Sequence, residues 1–275
     1  MRRQIDREVR RMTDSVTVGD IDIHYRVMGE GKPLVMIMGL TANMDTWEPA
    51  LLERLAGSYR VLVFDNRGAG RNSAPPGTFS ISQFADDTAG LMDALGMGRA
   101  FVLGESMGGM IAQEVALRHP EKVEKLVLCC TFCGGEQAIF PGPEVLEVLT
   151  DRGGTPEEIV RRGLEIVFPD EWVESNPEQV EDFVRRALLY PICEENALRQ
   201  GEAIFGFSTH DRLPGIDCPV LVACGTDDVL IPPENSTILA DRFPDARLVE
   251  FPGGGHGFAA QFHEEFASKL SEFLG

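Results

Sequence analysis

The chain has 275 residues, enough for one large α/β domain with room for an inserted segment. Its 44 acidic residues against 25 Lys and Arg leave a formal charge of −19, which argues against nucleic acid or an anionic membrane surface as a partner. With 43% hydrophobic and 25% charged residues it has an ordinary globular composition, and no apolar run approaches the ~20 residues of a spanning helix.

Residues 1–14 form a basic leader. Arg2, Arg3, Arg7, Arg10 and Arg11 have no apolar region behind them, so the stretch is not a secretory signal and reads as a frayed end or short surface helix. The six cysteines do not suggest a disulfide framework in a chain this long. Cys130-x-x-Cys133 lacks the second pair or histidine cluster that a zinc site needs. Free thiols and the missing signal together point to the cytoplasm.

Gly19-Asp20 separates two strand-like runs, 17–18 and 21–28, as in a hairpin. Residues 34–38 are continuously apolar, as expected of a central parallel strand, and lead into Met38-Gly39-Leu40-Thr41-Ala42-Asn43. An amphipathic helix over 47–56 and a strand over 61–64 follow. The next loop, Asp65-Asn66-Arg67-Gly68-Ala69-Gly70-Arg71-Asn72-Ser73, brings charges and glycines together, which suits a loop tied back against its neighbours. Ser80 and Gln83 have capping-box spacing before a helical run that Gly96 stops.

Phe101-Val102-Leu103 reads as a buried strand and runs directly into Gly104-Glu105-Ser106-Met107-Gly108, with helical spacing immediately after it. A strand that turns straight into a helix around a serine is tight and strained, and flanking glycines remove the Cβ atoms that would clash. The first free amides of the new helix then face whatever the serine attacks. The helix ends near His119-Pro120, and residues 123–130 give another buried strand.

Strand patterning stops between residues 133 and 213. Thr155-Pro156 and Asn176-Pro177 each read as a helix cap with proline at the first helical position. Phe140, Phe168, Trp172, Tyr190, Phe205 and Phe207 are candidate pocket linings, although aromatics at helical spacing usually form a segment's own core. Strand character returns at 220–224, followed by Gly225-Thr226-Asp227-Asp228, a helix over 233–243 and a strand over 247–251. Pro252-Gly253-Gly254-Gly255-His256-Gly257 lets a loop fold close over the sheet, which makes His256 the obvious base. His263, one or two turns into the last helix, reads as surface, and His24 and His210 have no supporting motif.

With these motifs in this order, the chain resembles the α/β-hydrolase family from about Val16 to Leu274. The resemblance implies a mostly parallel eight-stranded sheet flanked by helices. Its core would comprise 15–132 and 214–275, and a helical cap would be inserted at 133–213. The family pattern Gly-x-x-Asp-x-x-x-Pro puts the acid at Asp228, with Asp227 the rival, so the triad would be Ser106, Asp228 and His256. The oxyanion loop of the family usually reads His-Gly-x; here Met38 replaces the histidine. The amide of Leu40 is then the favoured donor beside that of Met107, with Thr41 left open. Gly39, Asn43, Trp172, Tyr190 and Phe205 are candidate substrate contacts.

The implied chemistry is serine attack on a small, largely apolar carboxylic ester or lactone, with no metal or organic cofactor. The loop around Leu40 and the elbow are similar to those of 3-oxoadipate enol-lactonases. The family also holds carbon–carbon bond hydrolases and cofactor-free perhydrolases, and receptors that bind ligand with little turnover. Oligomeric state is not legible in the sequence.

Overall fold

A computed structural model describes residues 13–275, so the basic leader lies outside the described residues up to Met12. The chain starts with a hairpin, β1 (Asp14–Val18) and β2 (Ile21–Met28), turning through Gly19 at φ 57°. Then come β3 (Lys32–Ile37), α1 (Pro49–Ala56), β4 (Tyr59–Phe64), α2 (Ile81–Ala94), β5 (Ala100–Glu105), α3 (Met107–Arg118) and β6 (Val123–Cys129). Helices α4 (Pro143–Thr150), α5 (Pro156–Val167), α6 (Asp170–Ser175), α7 (Pro177–Ala187) and α8 (Glu194–Phe205) follow with no named strand among them. The chain closes with β7 (Val220–Gly225), α9 (Glu234–Arg242), β8 (Ala246–Phe251), α10 (Phe258–Gln261) and α11 (His263–Leu274).

The eight strands form one sheet in the order β1-β2-β4-β3-β5-β6-β7-β8. β1 and β2 pair antiparallel, as do β2 and β4, and every pair from β4 to β8 is parallel. After β3 the chain steps to one side, into β4, and β5 lies on the other side. The loops leaving β3 and β5 therefore diverge at the carboxyl edge, where open α/β sheets place their ligands. Alternation along β3 feeds two cores: Val35 and Ile37 pack with α2 and α3, Leu34 and Met36 with α1 and α11. A third, small cluster of Leu164, Phe168, Val180 and Val184 belongs to the helical insertion.

Local signals mostly act as expected, with four differences. α1 begins at Pro49 rather than residue 47, because proline is suited to a first helical position and Glu48 caps it. Ser80 Oγ accepts the Gln83 amide at 3.2 Å, but it meets Ser82 Oγ in place of a returning bond from Gln83, so the box is half formed. Thr155 makes the full reciprocal box with Glu158. Asn176 does not cap α7; at φ −127°, ψ 51° its side chain turns back and donates to the Trp172 carbonyl at 2.8 Å, closing α6. His263 starts the last helix rather than lying within it.

The helical insertion is fastened to the loop between β3 and α1 by Arg186 of α7, which is 8% exposed. Its Nη1 donates to the carbonyls of Asp45, Thr46 and Trp47 at 3.1, 2.9 and 2.6 Å, and its Nε to Asp182 at 2.8 Å. Arg186→Met would fill the space and leave three buried carbonyls unpaired. We expect it to lower unfolding stability by about 2–4 kcal/mol, read as a lower urea midpoint; an unmoved midpoint would show that the clasp adds nothing.

Candidate active site

Ser106 sits between β5 and α3 at φ 58°, ψ −122°, a conformation that costs about 1–3 kcal/mol in a non-glycine residue. Crowding explains the flanking glycines: a Cβ at Gly104 would run into the Gly108 carbonyl, and one at Gly108 into the Ile37 carbonyl. The Ser106 amide donates to the Cys129 carbonyl at 2.9 Å and its carbonyl accepts from Thr131 Oγ1 at 2.8 Å, so the elbow is held from β6. Among the described residues the amide of Met107 has no hydrogen-bond partner.

The loop after β3 lies directly against this serine. A Cβ on Gly39 would stand 3.0 Å from Ser106 Cβ and 3.5 Å from its Oγ. The Thr41 amide donates to Gln200 Oε1 at 2.8 Å, while among the described residues the Leu40 amide has no partner. Of the two amides the sequence leaves open, one is thus already engaged.

Register brings the remaining groups alongside. Glu105 pairs with Cys129 on β6, and Cys129 with Ala223 on β7, so the ends of three strands lie abreast. Asp228 follows β7 closely and His256 follows β8. His256 Nδ1 and Asp228 Oδ2 are 2.8 Å apart, and both residues are buried, at 6% and 3% exposure. Asp228 Oδ1 accepts the amides of Leu230 and Ile231 at 2.9 and 2.8 Å, which fixes the carboxylate. Asp227 is instead exposed and bonded to Thr226 Oγ1. Among the described residues no hydrogen bond joins Ser106 Oγ to His256.

The electrostatics of the site involve a group that the motif reading passes over. Burial pushes the Glu105 carboxyl up to about 7, opposed by His256 and reinforced by the Asp228 charge. Burial pulls His256 down, but the Asp228 charge and hydrogen bond, with Glu105 behind them, outweigh it and hold the imidazole above its ordinary value. The Cys130 thiol lies within 4.8 Å of donor atoms of Asp228 and His256, and burial keeps it protonated.

The charged loop after β4 braces the site rather than lining it. Asp65 accepts the Met44 amide at 2.8 Å and the Arg71 amide at 2.9 Å, and Asn66 Nδ2 donates to the Met38 carbonyl at 2.8 Å. Arg67 grips Asp87 of α2 through two bonds. The tie runs to residues 38–44 and to α2, and it meets the elbow through Gly39 against Ser106 and the Met38 carbonyl against Gly108.

The other candidate contacts separate. Asn43 has its polar atoms engaged, Oδ1 by the Asp45 amide and Nδ2 by the Tyr190 carbonyl, so it is a strut between loop and insertion. The Tyr190 ring lies 3.8 Å from the Arg71 guanidinium. Trp172 stacks on Phe168 at 4.5 Å within the insertion's own core. Phe205 is 73% exposed and stacks on Phe140, since the buried face of α8 is formed by Ala197, Gln200 and Ala203. A Cβ at Gly257 would strike the Phe168 ring, so the insertion packs onto the His256 loop. The sequence reading missed Gln200 and Arg186; their only signal is a polar residue on the apolar face of a helix.

A sequence model described as the α/β hydrolase fold matches residues 32–162. A protein of Azorhizobium caulinodans named carbamate hydrolase RutD is 32% identical over 257 residues, covering 94% of this chain and 96% of that one. Among solved structures, an enol-lactonase from Burkholderia xenovorans LB400 is 28% identical at a TM-score of 0.82, covering 95% of this chain and 99% of that one. An esterase from Exiguobacterium antarcticum is 25% identical at a TM-score of 0.84, covering 96% and 99%. The chain belongs to the α/β-hydrolase fold family. Among the described residues no helix is long and apolar enough to cross a membrane.

Proposed function

We propose that the chain is a serine hydrolase of small, largely apolar carboxylic esters or lactones, acting through an acyl-enzyme. The observation that carries this is the buried Asp228–His256 bond, fixed by two amides, beside a strained serine against which Gly39 is packed. Substrate brings the hydroxyl and imidazole into bonding distance, since such contacts often tighten only once the site is filled. Ser106 Oγ attacks the carbonyl carbon as its proton passes to His256 Nε2. Asp228 holds the Nδ1 proton and stabilises the imidazolium. The amides of Leu40 and Met107 stabilise the oxyanion, each worth about 3 kcal/mol in systems of this type. The carbon–oxygen bond to the leaving group breaks and that oxygen takes the proton from His256. Water, deprotonated by His256, then bonds the acyl carbon, the Ser106 Oγ–acyl bond breaks to release the acid, and Ser106 Oγ takes the proton back from His256. Residues 133–213 act as a cap over this chemistry.

The name of the Azorhizobium relative adds carbamates as a second substrate class, since a carbamate carbonyl can undergo the same attack. Rates on p-nitrophenyl esters of graded chain length, a small-lactone panel and simple aryl carbamates separate these readings. Short esters or lactones are expected to lead; turnover confined to carbamates would transfer the assignment to the second class, and none at all would refute it.

The acid limb of the kcat/KM profile reports His256, which must be neutral to accept a proton. Because its value is raised, activity falls as pH drops through a point above the usual histidine value. Ionised Glu105 favours the imidazolium, so Glu105→Gln is expected to move that limb to lower pH. An unmoved limb would show that Glu105 has no hold on the base.

A further inference from the structure

We propose that Gln200, on the buried face of α8, is a positioning residue for the oxyanion hole, holding the loop that presents the Leu40 amide to the substrate. The inference rests on the proposed serine-hydrolase reading and goes beyond it by assigning part of the catalytic geometry to the helical insertion.

Gln200 is 0% exposed. Its Oε1 accepts the Thr41 amide at 2.8 Å and its Nε2 reaches the Arg67 carbonyl at 3.4 Å. Thr41 stands at φ 62°, in the left-handed region, which is unusual for a β-branched residue and persists only where surroundings impose it. The side chain of Gln200 is the polar group that meets the Thr41 amide. The Leu40 amide lies one peptide earlier, next to Gly39, which touches Ser106. Relaxation of Thr41 toward negative φ would rotate the adjoining peptides and swing that amide away from the serine.

The rest of α8 supports the same geometry. Asn196 Nδ2 donates to the Gly68 carbonyl at 3.0 Å, and Arg199 to the Pro75 carbonyl at 2.6 Å. Three side chains within five residues of one helix thus grip two loops at the carboxyl edge, the one after β3 and the one after β4. A buried glutamine satisfied on both atoms by two different loops has a fixed orientation, because each of its ends would otherwise be left unpaired. The insertion therefore shapes the catalytic loop as well as covering it.

The test is a pair of variants in the full chain, assayed on the best p-nitrophenyl ester and normalised to active sites counted with a fluorophosphonate. Gln200→Met keeps the volume and removes the acceptor; Gln200→Glu keeps an oxygen for the Thr41 amide. The expected result is a fall in kcat of about 10- to 100-fold for Gln200→Met with KM changed less than about threefold. Affinity for an alkyl boronic acid, which places an oxyanion in the hole, should fall in parallel, and Gln200→Glu should recover most of both. Wild-type kcat in Gln200→Met, or equal losses in the two variants without a change in boronate affinity, would overturn the proposal. If the wild-type protein neither labels at Ser106 nor hydrolyses any ester, it is the serine-hydrolase reading that fails, and the role of Gln200 with it.

Discussion

Ser106→Ala is expected to abolish ester hydrolysis, lowering kcat by about a million-fold, and to leave the thermal midpoint within a few degrees of wild type. The rate effect follows from the loss of the attacking oxygen: the Cys130 thiol, which lies against Asp228, His256 and the Ser106 amide, is kept protonated by burial and does not replace it. The small stability effect follows from the contacts. Ser106 Oγ makes no hydrogen bond among the described residues, and the bonds that hold the elbow use the backbone amide and carbonyl, which alanine keeps. Alanine at φ 58° carries the same strain as serine, so folding energy should change by no more than about 0.5 kcal/mol. Hydrolysis within tenfold of wild type would remove Ser106 as the nucleophile. A collapse of the midpoint would show that the hydroxyl holds the elbow together.

Asp228→Asn should lower kcat by about ten-thousand-fold with little change in KM. The asparagine can keep its oxygen toward the amides of Leu230 and Ile231, because both are donors. Its amino group must then face His256 Nδ1, where it can only donate. That forces the proton to Nε2, the nitrogen that has to receive the serine proton, and it removes the charge that stabilises the imidazolium. Stability should change little, since geometry and bond count are preserved. Asp227→Asn is the control: its exposed carboxylate bonds only to its neighbour Thr226 among the described residues, and activity should be unaffected. Reversed outcomes for these two variants would reassign the acid.

Much of the fold was legible because its signals are local. Gly19-Asp20 marks the hairpin, apolar runs mark the buried strands, and glycine spacing around Ser106 marks a turn whose crowding only glycines relieve. The preference for Asp228 over Asp227 comes from the family pattern that the resemblance supplies; in the structure Asp228 Oδ2 lies 2.8 Å from His256 Nδ1. Less legible were contacts that depend on partners far along the chain. Gln200 and Thr41 are 159 residues apart, and Arg186 reaches carbonyls about 140 residues away. Neither pairing leaves a periodic trace. The aromatic candidates separated for a related reason: helical spacing says that Trp172 and Phe205 lie on faces, but packing decides which face is covered. Asn43 is likewise engaged by partners that its loop motif does not reveal, the Asp45 amide and the Tyr190 carbonyl. Glu105 occupies the variable position of the elbow pentapeptide, and its influence on His256 comes from the burial that the sheet imposes.

The central claim is that one serine, activated by the buried His256–Asp228 pair, forms the covalent intermediate. Intact-protein mass spectrometry after exposure to a fluorophosphonate, followed by peptide mapping, tests it most directly. The expected result is a single adduct per chain on the peptide carrying Ser106, with labelling that fades as pH falls and in the Asp228→Asn variant. An unlabelled protein, or an adduct mapped to any other residue, would contradict it.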